Sequence, residues 1–199
     1  MNSHRHLVVP VLLASLALLA GCTGMSRHMR PAPAGTVYRP ESNQSLVIFM
    51  RPSPEDRQFQ SSVFEITPTE DKLVGIVSAQ TKVAYITTPG EHTFLLIGRY
   101  ADFMKARLEA GKTYYALVKP EAGSLKTRFA FAPVKGYDLR SDPFKKWVEG
   151  CLYVENTPSA YSWAKASTSS IQSKKRTFLP EWEKRPDAEK PALALEDGI

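Results

Sequence analysis

Residues Thr113-Tyr-Tyr-Ala-Leu-Val-Lys119 and Thr127-Arg-Phe-Ala-Phe-Ala132 are two consecutive runs of aromatic, β-branched and small residues. Successive side chains of an extended strand point to opposite faces, so Tyr114, Ala116 and Val118 would share one face of the first run. The residues between them would occupy the other face. Such alternation predicts two β-strands, each with a buried face.

The same pattern extends outward over a long central region. Short apolar or alternating runs are separated by turn signals, among them Pro89-Gly90, which favours a turn whose second central residue takes a positive φ. The predicted strands are Leu46–Arg51, Ser62–Ile66, Leu73–Ser78, Val83–Thr87, Thr93–Gly98, Thr113–Lys119, Thr127–Ala132 and Cys151–Glu155. Short strands at this spacing predict a mainly β domain over residues 45–155, folded as an antiparallel β-sandwich.

One or two C-terminal helices are expected to pack on this domain. A helix from Asp142, as capping residue, to Gly150 would place Phe144, Trp147 and Val148 on one side, ready to cover the sandwich. A second start at Thr157-Pro158 predicts a helical extension over residues 156–178. Its apolar stripe would consist of Ala160, Trp163 or Ala164, and Ile171.

The first 22 residues carry a targeting signal. Arg5 precedes the apolar run Leu7–Ala20, which is too short for a membrane span of about 20 residues. Leu19-Ala-Gly-Cys22 resembles the bacterial lipobox, which implies cleavage of residues 1–21 and acylation of Cys22 with palmitate-type chains. A plain signal peptide or an ordinary core helix is the alternative. In Gram-negative lipoproteins an aspartate after the cysteine commonly favours retention at the inner membrane. For a Gram-negative host the resemblance therefore implies, from Thr23 at this position, delivery to the outer membrane, facing the periplasm of the cell envelope.

The segments flanking the domain look unstructured. Residues 22–44 lack hydrophobic periodicity and contain closely spaced prolines, which predicts a flexible tether with a reach of about 70 Å. Residues 179–199 are rich in proline and charge, which predicts a disordered tail.

Composition and charge exclude several functions. The 199 residues carry a formal net charge of +6, spread along the chain without a basic block. Nucleic acid is therefore not expected as a partner, and the mild excess is consistent with solvated surface charge or with contact to anionic lipid. No glycine-rich phosphate loop and no set of metal ligands is evident, so neither a cofactor nor a metal is predicted.

Two turn motifs resemble those of a known group of proteins. Thr88-Pro-Gly-Glu-His92 precedes one strand, and Leu108-Glu-Ala-Gly-Lys-Thr-Tyr-Tyr115 opens the next. The pair resembles uncharacterised bacterial lipoproteins with a PEGA-like β-sandwich domain, over roughly Leu46 to Val134. The resemblance implies a fold and an envelope location and carries over no catalytic residue.

Candidate catalytic residues are sparse. His92 could act as a general base with Asp102 and a serine, or could simply cap the turn or pack beside Tyr114. Glu91, Glu109 and Asp102 could pair for glycan hydrolysis, although acidic residues near turns are usually solvated. No catalytic constellation emerges, and the chain is predicted not to be an enzyme.

The second cysteine has two interpretations. Cys151 opens an apolar run, so a buried free thiol is expected. An intermolecular disulfide is the alternative, because the predicted compartment is oxidising.

Aromatic and basic residues of the C-terminal third are candidate contacts. Trp147, Tyr161 and Trp163 could belong to the core between sandwich and helices, or could line a groove for lipid, glycan or a partner peptide. The basic run Lys174-Lys175-Arg176 could contact an anionic headgroup or an acidic partner, or could be a solvated helix end.

The sequence therefore predicts a membrane-anchored lipoprotein with a non-catalytic interaction or accessory module and an envelope protein as partner. A lipid- or glycan-binding carrier with an apolar groove between sandwich and helices is the alternative. Oligomeric state is left open.

Overall fold

The computed structural model describes residues 24–121 and 128–199, which fold into a mainly β body with three α-helices. The predicted signal and Cys22 lie outside the described residues. The strands are β1 (Met29–Pro31), β2 (Ser45–Arg51), β3 (Ser61–Ile66), β4 (Asp71–Val77), β5 (Thr81–Thr87), β6 (Gly90–Ile97), β7 (Ala101–Leu108), β8 (Thr113–Glu121), β9 (Arg128–Pro133), β10 (Leu152–Asn156) and β11 (Ala192–Leu193). The helices are α1 (Asp142–Gly150), α2 (Pro158–Ala166) and α3 (Thr168–Glu183).

The strands form two mixed sheets, so the expectation of a purely antiparallel sandwich is wrong. One sheet has the order β1-β10-β5-β2-β8-β9 and the other the order β11-β7-β6-β3-β4. Three neighbouring pairs are parallel, namely β2 with β8, β10 with β5, and β11 with β7. The chain leaves the first sheet after β5, builds β6 and β7 in the second, and returns on the far side of β2. This crossover gives β8 the direction of β2.

Three apolar layers hold the body together. Tyr114, Ala116 and Val118 lie in the cluster between the two sheets, as the alternation of the sequence predicts. Leu117, on the opposite face of β8, belongs to a second cluster that α1 covers with Phe144. A third cluster lies between the outer face of the five-stranded sheet and helices α2 and α3. Its buried members are Phe64, Leu73, Leu95, Ile97, Ala101, Phe103, Ala160, Ile171 and Trp182.

The helices begin and end at positions set by local chemistry. Ser141, rather than Asp142, is the N-cap of α1, because its hydroxyl accepts a hydrogen bond from Phe144 N at 3.2 Å. Thr157 precedes α2, as predicted. Helix α2 ends before Ser167, and α3 begins directly after it. Helix α3 continues through Pro180 to Glu183, beyond the predicted end at residue 178.

Strand β7 was not predicted from the sequence. Its run Ala101–Leu108 contains an aspartate, a lysine and an arginine, which weaken an apolar pattern. Lys105 and Arg107 face solvent, whereas Asp102 is buried and accepts a hydrogen bond from Phe131 N at 2.8 Å. A buried carboxylate with a backbone partner satisfies its hydrogen bonding, so the strand tolerates it.

The described part of the predicted tether is packed on the body. Met29 is 4% exposed and belongs to the cluster between the sheets, and β1 pairs antiparallel with β10. A Cβ on Gly24 would overlap the carbonyl oxygen of Arg57. A flexible tether over residues 22–44 is therefore wrong from Gly24 onward.

The predicted disordered tail is also packed. Leu193 is 2% exposed and β11 pairs with β7. Buried Asp197 accepts hydrogen bonds from Gly136 N at 3.0 Å and from Lys135 Nζ at 3.0 Å. Ile199 exchanges backbone hydrogen bonds with Thr113 at 2.7 and 3.1 Å. The amino-acid composition of the tail predicted disorder because composition does not reveal contacts that individual residues make with the rest of the fold.

Within these described ranges, no helix has the length and apolar character needed to cross a membrane.

Candidate functional site

A groove runs along the edge of the five-stranded sheet, and we call it the β4 groove. Its volume is about 1100 Å³, and it lies between β4, strands β5 and β10 of the other sheet, and helices α2 and α3. Apolar members include Leu73, Val74, Val83, Val154, Ala164 and Ile171, and polar or aromatic members include Tyr38, Asp71, Lys72, Tyr85, Glu155, Asn156, Tyr161, Lys165 and Gln172. The groove is open to solvent.

Strand β4 is the last strand of its sheet, so part of its backbone faces the groove. The pairing of β3 and β4 shifts register between Val63 and Phe64, which leaves Val74 as an extra residue on the edge. Asn156 Nδ2 donates to Val74 O at 3.0 Å, so this carbonyl is bonded to a side chain where a neighbouring strand would otherwise supply a backbone N–H. Asn156 Oδ1 is buried without a hydrogen-bond partner among the described residues.

The charged walls of the β4 groove are fixed by hydrogen bonds. Asp71 accepts from Lys175 Nζ and from Gln172 Nε2, both at 2.6 Å, so α3 is tied to the start of β4. On the opposite wall Glu155 accepts from Tyr38 OH at 2.7 Å. Burial and this hydrogen bond raise the pKa of Tyr38 to about 12. These carboxylates are positioned before any ligand arrives.

The structure distributes the predicted contact residues over three surfaces. Tyr161 is 57% exposed and lines the β4 groove. Trp163 and Lys174 line a second groove of about 550 Å³ on the other side of α2, where the Trp163 ring stacks on His28 at 5.9 Å. Trp147 on α1 lines a third groove of about 460 Å³, with Lys119 Nζ 5.6 Å from its ring.

The basic run of α3 does not act as one patch. Lys175 is paired with Asp71, and Lys174 Nζ donates to the carbonyl of Gly98. Burial lowers the pKa of Lys174. Only Arg176 of the three is fully exposed. The structure therefore gives the two lysines positions that tie α3 to the sheet beneath it.

His92 belongs to a polar cluster that links the two sheets. The buried carboxylate of Glu65 on β3 accepts a hydrogen bond from Tyr85 OH on β5 and contacts His92 Nδ1. The second ring nitrogen of His92 lies 2.9 Å from the carbonyl oxygen of Thr88. The hydrogen bond to Glu65 holds the pKa of His92 above its usual value of 6.5 and that of Glu65 below 4.5.

This arrangement differs from that of a nucleophile with a general base. Both ring nitrogens of His92 face acceptor oxygens, and the hydroxyl of the cluster, on Tyr85, bonds to Glu65 and not to the imidazole. A general base needs a free ring nitrogen within reach of the proton that it removes. The geometry therefore supports a structural role, and the predicted partner Asp102 lies elsewhere, beside Phe131.

The three carboxylates considered for glycan hydrolysis do not converge. Glu91 lies opposite Arg107 near one end of β7, while Asp102 lies near the other end. A rise of about 3.3 Å per residue separates their positions along the strand by roughly 15 Å, beyond the spacing of any paired-carboxylate mechanism. Glu109 pairs with Lys112 at 2.5 Å.

Cys151 is a buried free thiol, 5% exposed. Burial raises its pKa to about 11. The position favours the interpretation as a small core residue. Across residues 24–121 and 128–199, no three His, Cys, Asp or Glu side chains are grouped as metal ligands would be.

Sequence reasoning found one member of the β4 groove, Tyr161, and missed the rest. The groove is assembled from segments far apart in the chain, namely residues 38, 64, 69–74, 83–85 and 154–172. Tertiary packing alone brings them together. No protein-family model matches the chain. No curated protein matches it either.

Proposed function

We propose that the chain is a lipid-anchored lipoprotein of the bacterial cell envelope, acylated at Cys22 and delivered to the outer membrane, facing the periplasm. Its folded part acts as a non-catalytic interaction module. The PEGA-like resemblance of its turn motifs supports the envelope location. The β4 groove is the surface that holds the partner.

The free edge of β4 inside the groove is the observation that carries this proposal. Natural sheets usually cover or disrupt an exposed edge, because it can pair with another chain. Here α2 and α3 lie beside the edge and leave a groove along residues 69–74, with exposed Tyr161 among its lining residues. An edge bordered by a groove fits an extended peptide that adds a strand to the sheet.

The chemistry of the groove sets the kind of partner. Alternate residues of the stretch 71–73 would supply backbone hydrogen bonds, while Asn156 blocks pairing at Val74. Alternate side chains of the added segment would enter the space above Val83 and Val154 on one side and beside Tyr161 on the other. The expected partner is an extended segment of an envelope protein, with small or β-branched residues facing the valines.

A glycan chain in the same groove is the second candidate, favoured by the exposed ring of Tyr161 beside polar walls. A carrier that encloses a lipid has less support. The large apolar side chains of the described residues are mostly packed in the three clusters, and charged groups border the groove.

Photo-crosslinking in living cells tests the groove as the contact surface. A benzophenone amino acid replaces Tyr161, which is 57% exposed at the groove rim, or Tyr137, which is 83% exposed near the start of α1. The two changes are chemically identical. The proposal expects a discrete adduct with one protein from position 161 and none from position 137.

Proline substitutions on β4 test whether the adduct depends on the free edge of this strand. Leu73→Pro and Lys72→Pro remove the backbone donors of two adjacent residues of β4. Because adjacent residues direct their backbone groups to opposite sides of a strand, one variant disrupts the free edge and the other disrupts the pairing with β3. Both variants are first checked for native circular dichroism. Loss of the position-161 adduct in a folded edge variant supports the proposal. A glycan adduct supports the second candidate, and equal adducts from positions 161 and 137 contradict both.

A further inference from the structure

The body has two ends, defined by the turns between strands. One end carries the segment 52–60 after β2 and the turns at residues 78–80 and 98–100, and we call it the anchor end. The other carries the turns at residues 67–70, 88–89 and 109–112, and we call it the far end. Strands run from one end to the other, so a residue's strand position assigns its end.

The described chain begins at the anchor end and is fixed there. Gln60 Nε2 donates to Gly24 O at 3.0 Å, and the Arg57 backbone leaves no room for a side chain at Gly24. Two residues later, Ser26 N donates to Ser78 Oγ at 3.2 Å, in a buried position. These contacts attach the start of the chain to the segment after β2 and to the β4–β5 turn.

Covalent geometry then limits the distance to the proposed lipid. Gly24 is the second residue after Cys22, and an extended residue spans at most about 3.6 Å, so the two Cα atoms lie within about 7 Å. A body held this closely to acyl chains has little freedom to turn away from the membrane. The long tether predicted from the sequence would have allowed any orientation.

Exposed charge differs between the two ends. Arg27, Arg57 and Arg99 are exposed at or beside the anchor end, and the exposed carboxylates there include Glu55, Glu121 and Glu149, the last at the end of α1 beside the 78–80 turn. Arg57 bonds to Pro54 O and Gln80 Oε1, and Arg99 lies 5.8 Å from the ring of Phe59, so neither has its charge neutralised by these contacts. Glu121 contacts Arg128 at 3.6 Å.

The far end is acidic by comparison. Its turns and adjoining segments expose five glutamates: Glu41, Glu70, Glu91, Glu109 and Glu196. Two of them have basic neighbours, Arg107 at 3.9 Å from Glu91 and Lys112 at 2.5 Å from Glu109, and Lys72 is also exposed at this end. An anionic lipid surface attracts exposed arginines and repels carboxylates within a Debye length.

We infer that the anchor end is a membrane-contact surface, on which Arg27, Arg57 and Arg99 bind the phosphate headgroups of the leaflet that carries the acyl chains. The inference rests on the proposed acylation of Cys22. It places the acidic far end away from the membrane. The β4 groove is lined by residues 69–74 at the far end of β4, so a partner reaches it without competing with lipid.

Cysteine accessibility on the lipidated full-length protein tests this orientation. Gln58→Cys lies in the anchor-end segment and Ser42→Cys near the far end, and both native side chains are exposed. Cys151 adds little background, because it is buried with its thiol pKa raised to about 11. The proteins are reconstituted in vesicles of phosphatidylglycerol and phosphatidylethanolamine, or of phosphatidylcholine alone. Alkylation by a polymer-linked maleimide is measured and normalised to the rate in denaturant.

The inference expects alkylation of Gln58→Cys in the anionic vesicles to be about tenfold slower than that of Ser42→Cys. The difference should shrink in phosphatidylcholine vesicles and in the Arg27→Gln/Arg99→Gln background. If palmitate is incorporated but Gln58→Cys and Ser42→Cys are alkylated at equal rates, the proposed orientation is wrong and the acylation of Cys22 is still supported. Absence of both palmitate and vesicle binding overturns the anchor and the orientation together.

Discussion

Glu65 on β3 accepts a hydrogen bond from the phenol of Tyr85 on β5, so one buried carboxylate joins the two sheets. Its other oxygen contacts His92 on β6. This bond fixes how the two sheets meet at one point, as the bonds from Asp102 to Phe131 N and from Asn156 to Val74 O do at two others. The cluster thus accounts for a histidine that the sequence offered as a catalytic base.

Replacing Glu65 by glutamine should destabilise the fold by about 3 kcal/mol, because His92 and Tyr85 lose a buried charged acceptor. Urea denaturation measures the free energy of unfolding. Glu91→Gln is the matched control, because the Glu91 side chain is 86% exposed and its contact with Arg107 is long. We expect the control to change stability by less than about 0.5 kcal/mol. Equal losses of stability in Glu65→Gln and Glu91→Gln would show that the bond between the sheets contributes no more to stability than an exposed carboxylate.

The Glu65–His92 pair should lose its contribution to the free energy of unfolding both as pH rises and as pH falls. The pKa of His92 is raised by Glu65, so the contribution of the histidine is complete below 6.5 and is lost as pH rises through the folded pKa. The pKa of Glu65 is lowered, so its contribution is present above 4.5 and is lost as pH falls through the folded pKa.

The pair therefore stabilises most between pH 4.5 and 6.5. The free energies of unfolding of the wild type and of His92→Gln are measured at pH values inside and above this range. The difference between the two proteins should be largest inside the range and smaller on its alkaline side. A difference that grows as pH rises above the window would contradict the assigned pairing.

Arg51 should be essential for the segment that follows β2. Its guanidinium is fully buried and donates to the carbonyls of Glu55, Asp56 and Phe59, with the last bond at 2.7 Å. Arg51→Lys should destabilise by about 2–4 kcal/mol, because an ammonium cannot reach three divergent carbonyls. Arg57→Lys, on an exposed side chain of the same segment, should have little effect. Similar unfolding midpoints for the two variants would be inconsistent with this role.

The packed tail makes a steric prediction at Gly198. A Cβ there would lie 2.6 Å from Tyr114 Cζ and 2.9 Å from Lys112 Cδ. Gly198→Ala should therefore loosen the bonds between Ile199 and Thr113 and make the C-terminus susceptible to carboxypeptidase. Gly150→Ala serves as the control, because no atom lies within 4 Å of the added methyl group. Rapid digestion of the wild-type tail would show that the C-terminus is not docked.

Local patterns predicted much of the β structure. Period-two alternation assigned the faces of β8 correctly, and the predicted glycine turn is present, with Gly90 at a φ of 126°. Each of these features depends on neighbours in sequence. The cap of α1 was missed by one residue, since Ser141 and Asp142 are both good capping residues and only the structure shows which bonds to Phe144.

Features that depend on distant residues escaped prediction. The parallel pairing of β2 with β8 requires knowing that β6 and β7 enter the other sheet. The order of the tail depends on single anchors such as Leu193 and Asp197 in an otherwise polar stretch. The β4 groove combines an edge strand with two helices that follow it by about 90 residues. Composition and periodicity carry no information on such contacts.

Acylation of Cys22 is the claim on which the compartment, the partner and the membrane orientation all depend. Cells expressing the wild-type chain or Cys22→Ser are fed labelled palmitate, and the protein is recovered from membrane and soluble fractions. The account predicts labelled wild-type protein in the outer membrane fraction and unlabelled Cys22→Ser protein outside it. Label that persists in Cys22→Ser, or wild-type protein without label, would contradict it.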